Sequence, residues 1–481
     1  MGRHRYEAEL RRFFGREHFR PGQARAVDCL MRGRDLLCVF PTGAGKSLCY
    51  QLPAMLLPGV TLVVSPLISL MRDQVQGLRR QGIPAVYLDS LQSREEQAEA
   101  LRRVAAGEAR LVYAAPERLE LPGFSALLRR VGLSLLVVDE AHCAVQWGES
   151  FRPAYARIGD FLSTLERRPV VCAMTATADR KLRRAIIGSV GLRRPMLLTL
   201  PLTRENLRYR LVTTIHPREE LLRCLRAHEG EKCIVFCRTR AQTEHTAELL
   251  RQRGMAADFY HAGLDRARRS RVQEEFSAGR LRVLAATSAF GMGVDVPDIR
   301  LVVHCALPEN LTDYAQQSGR AGRDGQVSEC VLLLDPADVR RAVSRMRREE
   351  KQAGFRLRRR LAVRRQREEY RRVLGWCLSG RCLPAGLSAF FGQRSAPCGH
   401  CSACLRKTKG PLAPVPVLNG KNSWETTAWA LEWQVSALPD RGGLTGQAVR
   451  EAARSGCLPV LPQLPPERRE RLRQLLEHMR G

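Results

Sequence analysis

The segment Val39-Phe-Pro-Thr-Gly-Ala-Gly-Lys-Ser47 carries the residue types of a phosphate cradle. Gly43 and Gly45 let the backbone turn tightly and aim N–H groups inward, with a helix N-terminus behind them. In such a loop Thr42, Gly43, Ala44 and Gly45 supply the backbone. Lys46 reaches the outer phosphates, and the Ser47 hydroxyl ligates Mg²⁺. Phe40 stands where the strict pattern has its first glycine, so the match is partial, and a glycine-rich turn before an ordinary helix is the competing reading. A second site downstream separates the two readings. Asp139 and Glu140 end the apolar run Leu133–Val138, and carboxylates at the C-terminal edge of a parallel strand lie where ligands bind in open α/β sheets. There Asp139 is placed to hold the Mg²⁺ of a bound nucleoside triphosphate, and Glu140 to polarise the attacking water.

A third group is Cys398-Gly-His-Cys401-Ser-Ala-Cys404, preceded by Cys382. Thiolates two residues apart in a tight turn can face one ion, and four soft ligands close a tetrahedron around Zn²⁺. His400 and Cys377 compete for places in that set. Most other cysteines sit singly in apolar runs, which suits buried thiols in a reducing compartment rather than a disulfide framework.

These residues need elements to position them. Short apolar runs at Leu36–Phe40, Thr61–Ser65, Arg110–Ala115, Leu133–Asp139 and Val170–Met174 alternate with charged helical stretches, which predicts a parallel sheet with helices on both faces. The runs Arg208–Thr214, Lys232–Cys237, Arg282–Ala286, Arg300–Cys305 and Cys330–Leu334 repeat the plan. Leu200-Pro201-Leu202 reads as the linker. From Arg340 to Arg372 the chain carries 15 basic residues against 4 acidic, with Val339, Val343 and Met346, then Leu357 and Leu361, at helical spacing. The stretch 407–416 reads as a second linker, and the remainder as two or three helices.

The chain has 481 residues and a formal net charge of +30, from 79 Lys and Arg against 49 Asp and Glu. Folding does not require that excess, but an anionic partner exploits it, nucleic acid first and an anionic membrane second. The charged start of the chain does not read as a secretory signal, and Pro53, Pro58 and Pro66 break the uncharged stretch 47–71.

The glycine loop and the acidic strand end together resemble a superfamily-two helicase. Further segments agree in order: Phe19-Arg-Pro-Gly-Gln23, Ser65-Pro-Leu-Ile-Ser-Leu-Met-Arg-Asp-Gln-Val75, Ala115-Pro-Glu-Arg118 and Met174-Thr-Ala-Thr177. The second half adds Phe236-Cys-Arg-Thr239, Tyr260-His-Ala-Gly263, Thr287-Ser-Ala-Phe-Gly-Met-Gly-Val-Asp295 and Gln316-Gln-Ser-Gly-Arg-Ala-Gly-Arg-Asp-Gly325. Their wording is similar to the RecQ family of DNA helicases, over about residues 10 to 405. The resemblance implies an α/β fold of two tandem RecA-like lobes, a helical zinc-binding subdomain and a short helical tail. The expected boundaries are 1–200, 201–336, 337–408 and 409–481.

It also implies ATP-driven unwinding of duplex DNA with 3′-to-5′ polarity, in DNA repair and recombination. Gln23, Arg20 and Gln316 join the nucleotide site, and Arg320 and Arg323 face the γ-phosphate. Thr175 and Thr177 couple nucleotide state to DNA grip. Trp147, Phe151 and Tyr155, next to Arg152, resemble the aromatic-rich loop that meets single-stranded DNA. Three departures stand out: Glu149-Ser150 replaces His-Asp, Arg16 replaces an aromatic residue, and Leu383-Pro384 replace arginines. Expected cofactors are ATP, Mg²⁺ and Zn²⁺. Expected partners are single-stranded DNA, duplex junctions and a single-strand-binding protein, with no membrane contact, for a monomer in a bacterial cytoplasm. The alternatives are an RNA helicase and a nucleic-acid-stimulated ATPase that binds or anneals strands without translocating.

Overall fold

A computed structural model describes the chain except residues 1–4, 42, 67, 90–91, 147–152, 215, 291–295, 353–356 and 408–481. Thr42, Trp147, Phe151, Arg152, Glu149, Ser150 and the expected tail therefore lie outside the described residues. The chain divides into two units. The first takes in Met1–Arg204 and Phe390–Gln393, and the second Glu205–Phe290, Val296–Ala389 and the residues from Arg394 on.

The first unit is built on seven parallel strands: β1 (Leu36–Val39), β2 (Val60–Val64), β3 (Ala85–Leu88), β4 (Leu111–Ala114), β5 (Leu133–Val138), β6 (Val170–Thr175) and β7 (Met196–Thr199). Their order is β3-β4-β2-β5-β6-β1-β7. Helices cover both faces, so the strands are continuous apolar runs rather than alternating ones. One face packs Leu62, Val64, Leu136, Val138 and Ala173 with the helices over residues 94–105 and 180–190. The other packs Phe40, Val63, Leu135, Val137 and Met174 with the helix Leu48–Leu56. Full burial of each Val, Leu, Phe or Met side chain among these contributes roughly 1.5–3 kcal/mol.

Just before β1, Asp35 is buried and accepts four hydrogen bonds. They come from Arg168 Nη1 at 3.0 Å and Nη2 at 2.6 Å, from Val171 N at 3.0 Å and from Arg193 N at 2.7 Å. A carboxylate can be buried at this cost only when it is paired and its lone pairs are filled.

The second unit repeats the plan with six parallel strands: β8 (Leu207–Thr213), β9 (Lys232–Phe236), β10 (Ala257–Tyr260), β11 (Val283–Ala286), β12 (Ile299–His304) and β13 (Ser328–Leu334), ordered β10-β11-β9-β12-β13-β8. Two basic helices follow, Pro336–Gln352 and Leu357–Leu378. Val339, Val343 and Met346 are buried as their spacing predicts, but Leu361 is 49% exposed. The second helix buries Val363, Tyr370, Val373, Leu374 and Cys377 instead. Arg238 sets that rotation: its guanidinium lies 5.8 Å from the Tyr370 ring centre, and Nη2 donates to Asp338 Oδ2 at 2.8 Å. Among the described residues no helix is long and apolar enough to cross a membrane.

Candidate functional site

In the first sheet β5, β6 and β1 are neighbours. Their C-terminal ends carry the acidic pair, Thr175 and the glycine loop, so three sequence-distant segments meet because the strand order places them side by side. Backbone bonds lock the three ends together: Phe40 N donates to Thr175 O at 3.1 Å, and Ala141 N to Met174 O at 2.7 Å. Phe40 itself is fully buried in the core. A Cβ on Gly22 would stand 2.6 Å from its ring, and Gly22 has φ +82°. The missing first glycine of the loop is thus a core anchor whose bulk Gly22 accommodates.

The loop is braced from below. Gln23 is buried, accepts from Arg20 N at 2.8 Å and donates through Nε2 to Gly45 O at 2.8 Å. Arg20 Nη1 donates to Gly43 O at 2.9 Å. Gly45 has φ +77°, and a Cβ there would meet Gln23 Nε2 at 2.5 Å. Gly45→Ala should therefore displace Gln23 and strain the loop, costing roughly 1–3 kcal/mol. Thermal unfolding and ATPase assays should show both stability and hydrolysis falling, with Gln23→Ala restoring part of the stability in the double variant. A fully neutral Gly45→Ala would contradict this packing.

Ser47 stands at the N-cap of Leu48–Leu56, but its hydroxyl does not cap that helix. Lys46 Nζ lies 3.9 Å from Glu140 Oε1. Asp139 Oδ1 accepts from Glu140 N at 2.9 Å. Burial, and next the charge on Glu140, raise the Asp139 carboxyl to about 6, with Lys46 acting the other way. A divalent cation offsets both causes, so the donor set fits Mg²⁺ held by Asp139 and Ser47. Glu140 is a non-glycine residue at φ +46°, a conformation that costs energy and is held only where surroundings enforce it.

From Glu140 a polar chain continues. His142 Nδ1 lies 3.3 Å from Glu140 Oε2 and 3.1 Å from Thr175 Oγ1, and the Thr175 hydroxyl donates to Thr177 O at 3.1 Å. That commitment makes His142 Nδ1 the donor to Thr175. Burial opposes charge on His142, but bonding to Cys143 and Glu140 prevails and raises it to about 10. Tyr155 is fully buried, and its hydroxyl donates to Asp139 O at 3.2 Å. It belongs to the core rather than to a stacking surface.

The first unit thus gathers Arg20, Gln23, Gly43, Ala44, Gly45, Lys46, Ser47, Asp139, Glu140, Thr175 and Thr177 around β1, β5 and β6. Gln316, Arg320 and Arg323 lie in the second unit. Gln316 is partly buried on the helix Leu311–Ser318, Arg320 is buried, and Arg323 is partly buried in the turn that follows. Asn206, which carries no signal beyond preceding a strand, shapes that turn. Its Nδ2 donates to Gly322 O at 2.9 Å and Gln326 O at 2.8 Å, and Gly322 has φ +54°. Asp324 is held by Arg300.

The side-chain sulfurs of Cys382, Cys398, Cys401 and Cys404 lie within 4.8 Å of one another. A tetrahedron of ~2.3 Å Zn–S bonds spaces its sulfurs about 3.8 Å apart, so the set fits Zn²⁺. Backbone N–H groups of Cys398 and Cys401 donate to the sulfurs of Cys382 and Cys398 at 3.2 and 3.3 Å. Cys377 is buried elsewhere, and His400 Nε2 lies 3.4 Å from Leu207 O. Next to the cluster, Ser402 Oγ accepts from Leu211 N at 2.9 Å. Both contacts fall on β8, the outer strand of the second sheet, whose exposed backbone would otherwise invite pairing with another chain.

Two parallel-sheet lobes, one with a phosphate loop beside an acidic strand end, define a nucleotide-dependent motor of the helicase class. Residues 20–185 match the DEAD/DEAH box helicase family and residues 217–325 the helicase conserved C-terminal domain. The ATP-dependent DNA helicase RecQ of Synechocystis is 42% identical over 336 residues, covering 68% of this chain and 70% of that protein. The RecQ of Bacillus subtilis is 37% identical over 406 residues, covering 83% of this chain and 67% of that protein. The chain belongs to the RecQ family of ATP-dependent DNA helicases. It spans 52% of the Pasteurella multocida RecQ, to which it is 42% identical over 68% of its own length. The structure of the Mycobacterium smegmatis helicase Lhr bound to single-stranded DNA and AMP-PNP shares the fold, with TM-score 0.56, 22% identity, and coverage of 70% of this chain and 49% of that one.

Proposed function

We propose that the protein unwinds duplex DNA with 3′-to-5′ polarity, driven by ATP hydrolysis, in DNA repair and recombination. The observation that carries this reading is the run of ionic and polar contacts from Lys46 through Glu140 and His142 to Thr175 and Thr177. It joins a phosphate loop to the strand end expected to couple nucleotide state to DNA grip. In this reading Thr42, Gly43, Ala44, Gly45 and Lys46 bind the phosphates, and Gln23 and Arg20 hold the loop and meet the base. Ser47 and Asp139 hold Mg²⁺, which when bound offsets phosphate charge. Glu140 accepts from the attacking water. Arg320 and Arg323 contribute guanidinium groups to the transition state, with Gln316 beside them. Trp147, Phe151 and Arg152 meet the single strand by stacking and charge. The cysteine set holds zinc as a structural ion, in a subdomain spanning about 337–408. DNA is the partner, a single-strand-binding protein a further one, and the working form is a monomer.

Strand displacement on 3′-tailed and 5′-tailed duplexes tests the reading. Separation of the 3′-tailed duplex alone, and only with ATP, is the expected result. DNA-stimulated hydrolysis without displacement would overturn it. Thr175→Ala should keep basal hydrolysis and lose most of its stimulation by DNA, whereas Thr175→Ser, which retains the hydroxyl, should keep both.

A further inference from the structure

Outside the nucleotide site, the second unit holds a cleft of about 650 Å³ between its two basic helices. Arg347, Arg348 and Lys351 line it from Pro336–Gln352, and Arg360 and Arg367 from Leu357–Leu378, with Glu350 as the one carboxylate. Glu350 is already engaged: Oε2 accepts from Arg367 Nη1 at 3.1 Å, and Oε1 lies 3.6 Å from Arg364 Nε. It fixes one wall of the cleft and leaves no negative charge for the rest. Arg348, Lys351 and Arg360 have no ion pair among the described residues. Like charges converging on one concavity oppose folding, so their placement favours an anion that neutralises several of them together.

The shape narrows the anion. A surface that follows a nucleic-acid backbone is a groove or stripe, because its phosphates are strung along a line. Here five basic residues, Arg367 already paired with Glu350, line one open concavity whose volume lies within the range of small-molecule sites. Planar guanidiniums on facing helices suit bidentate contact with phosphate oxygens, and Lys351 adds a mobile point charge. We propose that this cleft is a second anion site, separate from the glycine loop. It binds a compact polyphosphate, the chemistry shared by inorganic polyphosphate and the phosphate tail of a nucleotide.

The full-length chain, titrated calorimetrically with inorganic tripolyphosphate, with orthophosphate and with a single-stranded oligonucleotide, tests the proposal. Tripolyphosphate should bind far more tightly than orthophosphate, and binding should weaken at higher salt. The triple substitution Arg348→Glu, Lys351→Glu, Arg360→Glu alters solvent-accessible side chains and should weaken tripolyphosphate about tenfold or more. Lys46→Ala should leave a tripolyphosphate site of wild-type affinity. ATP hydrolysis by the triple variant should match wild type, which separates the cleft from the glycine loop and shows that the variant is folded. Tripolyphosphate affinity unchanged in the triple variant would overturn the site. A larger loss for the oligonucleotide than for tripolyphosphate would overturn the compact ligand and make the cleft part of a nucleic-acid path. In a Lys46→Ala background, ADP binding that the triple substitution abolishes identifies a nucleotide tail as the source, and tripolyphosphate binding without ADP binding identifies inorganic polyphosphate.

Discussion

Lys46→Ala should reduce ATP hydrolysis by about a hundredfold to a thousandfold, the effect of removing one positioned charge from a phosphoryl-transfer site. The ammonium lies 3.9 Å from Glu140 Oε1 and opposes the upward shift of Asp139. Removing it leaves two carboxylates on adjacent residues with one fewer cation to offset them. Both the phosphate charge and the acidic pair then lose a partner. Lys46 is only partly buried and belongs to no packed core, so the fold should survive. Thermal unfolding close to wild type together with collapsed turnover is the expected pair of results. Turnover near wild type would show that the glycine loop does not hold the reacting phosphates.

The second large effect concerns the metal. Purified protein should contain about one zinc per chain, and Cys401→Ser should lose it. Cys401 is fully buried, with its sulfur 4.0 Å from that of Cys382. Structural zinc in small modules contributes apparent binding energies of ~10–16 kcal/mol, so its loss should unfold the segment around 382–404. The consequence extends past the cysteines, because Ser402 and His400 contact β8. With that segment unfolded, Leu211 N loses its bond to the Ser402 hydroxyl and the outer edge of the second sheet opens. Chelation should therefore lower the unfolding temperature and promote self-association, read by light scattering. Full retention of stability and solubility without the metal would contradict this role.

The central strands were legible in the sequence because burial on both faces writes them as unbroken apolar runs. The three strands that no such run announces are β3, β7 and β10, and all three lie at sheet edges. Each of these three has one neighbour and four residues, so its pattern is weaker, whereas β8, the remaining edge strand, has seven and was legible. The glycine loop, the acidic pair and the cysteine set were legible because their chemistry depends on local spacing. Gln23 was visible as a nucleotide-site residue, but its bond to Gly45 O was not, because that contact depends on where a preceding helix packs. Tyr155 read as part of an aromatic loop, yet it is core, since one residue's composition cannot distinguish stacking on a ligand from burial. Leu361 shows the limit of helical periodicity: the neighbouring Arg238 and Asp338, far apart in sequence, chose which face of that helix turns inward.

The buried Asp35 acts at a distance from everything that reacts. It ties the start of β1 to the start of β6 and to the approach of β7, at the opposite end of the strands from the glycine loop. Each residue of strand advances the chain by about 3.3 Å. Adding one residue to β1 beyond Asp35 would therefore carry Lys46 most of that distance past Thr175, and invert the sidedness of the strand as well. The accuracy of the phosphate cradle is thus a matter of alignment fixed at a common origin. Changes of length in surface loops leave that origin untouched, whereas a single insertion between Asp35 and Phe40 would misalign three strands at once.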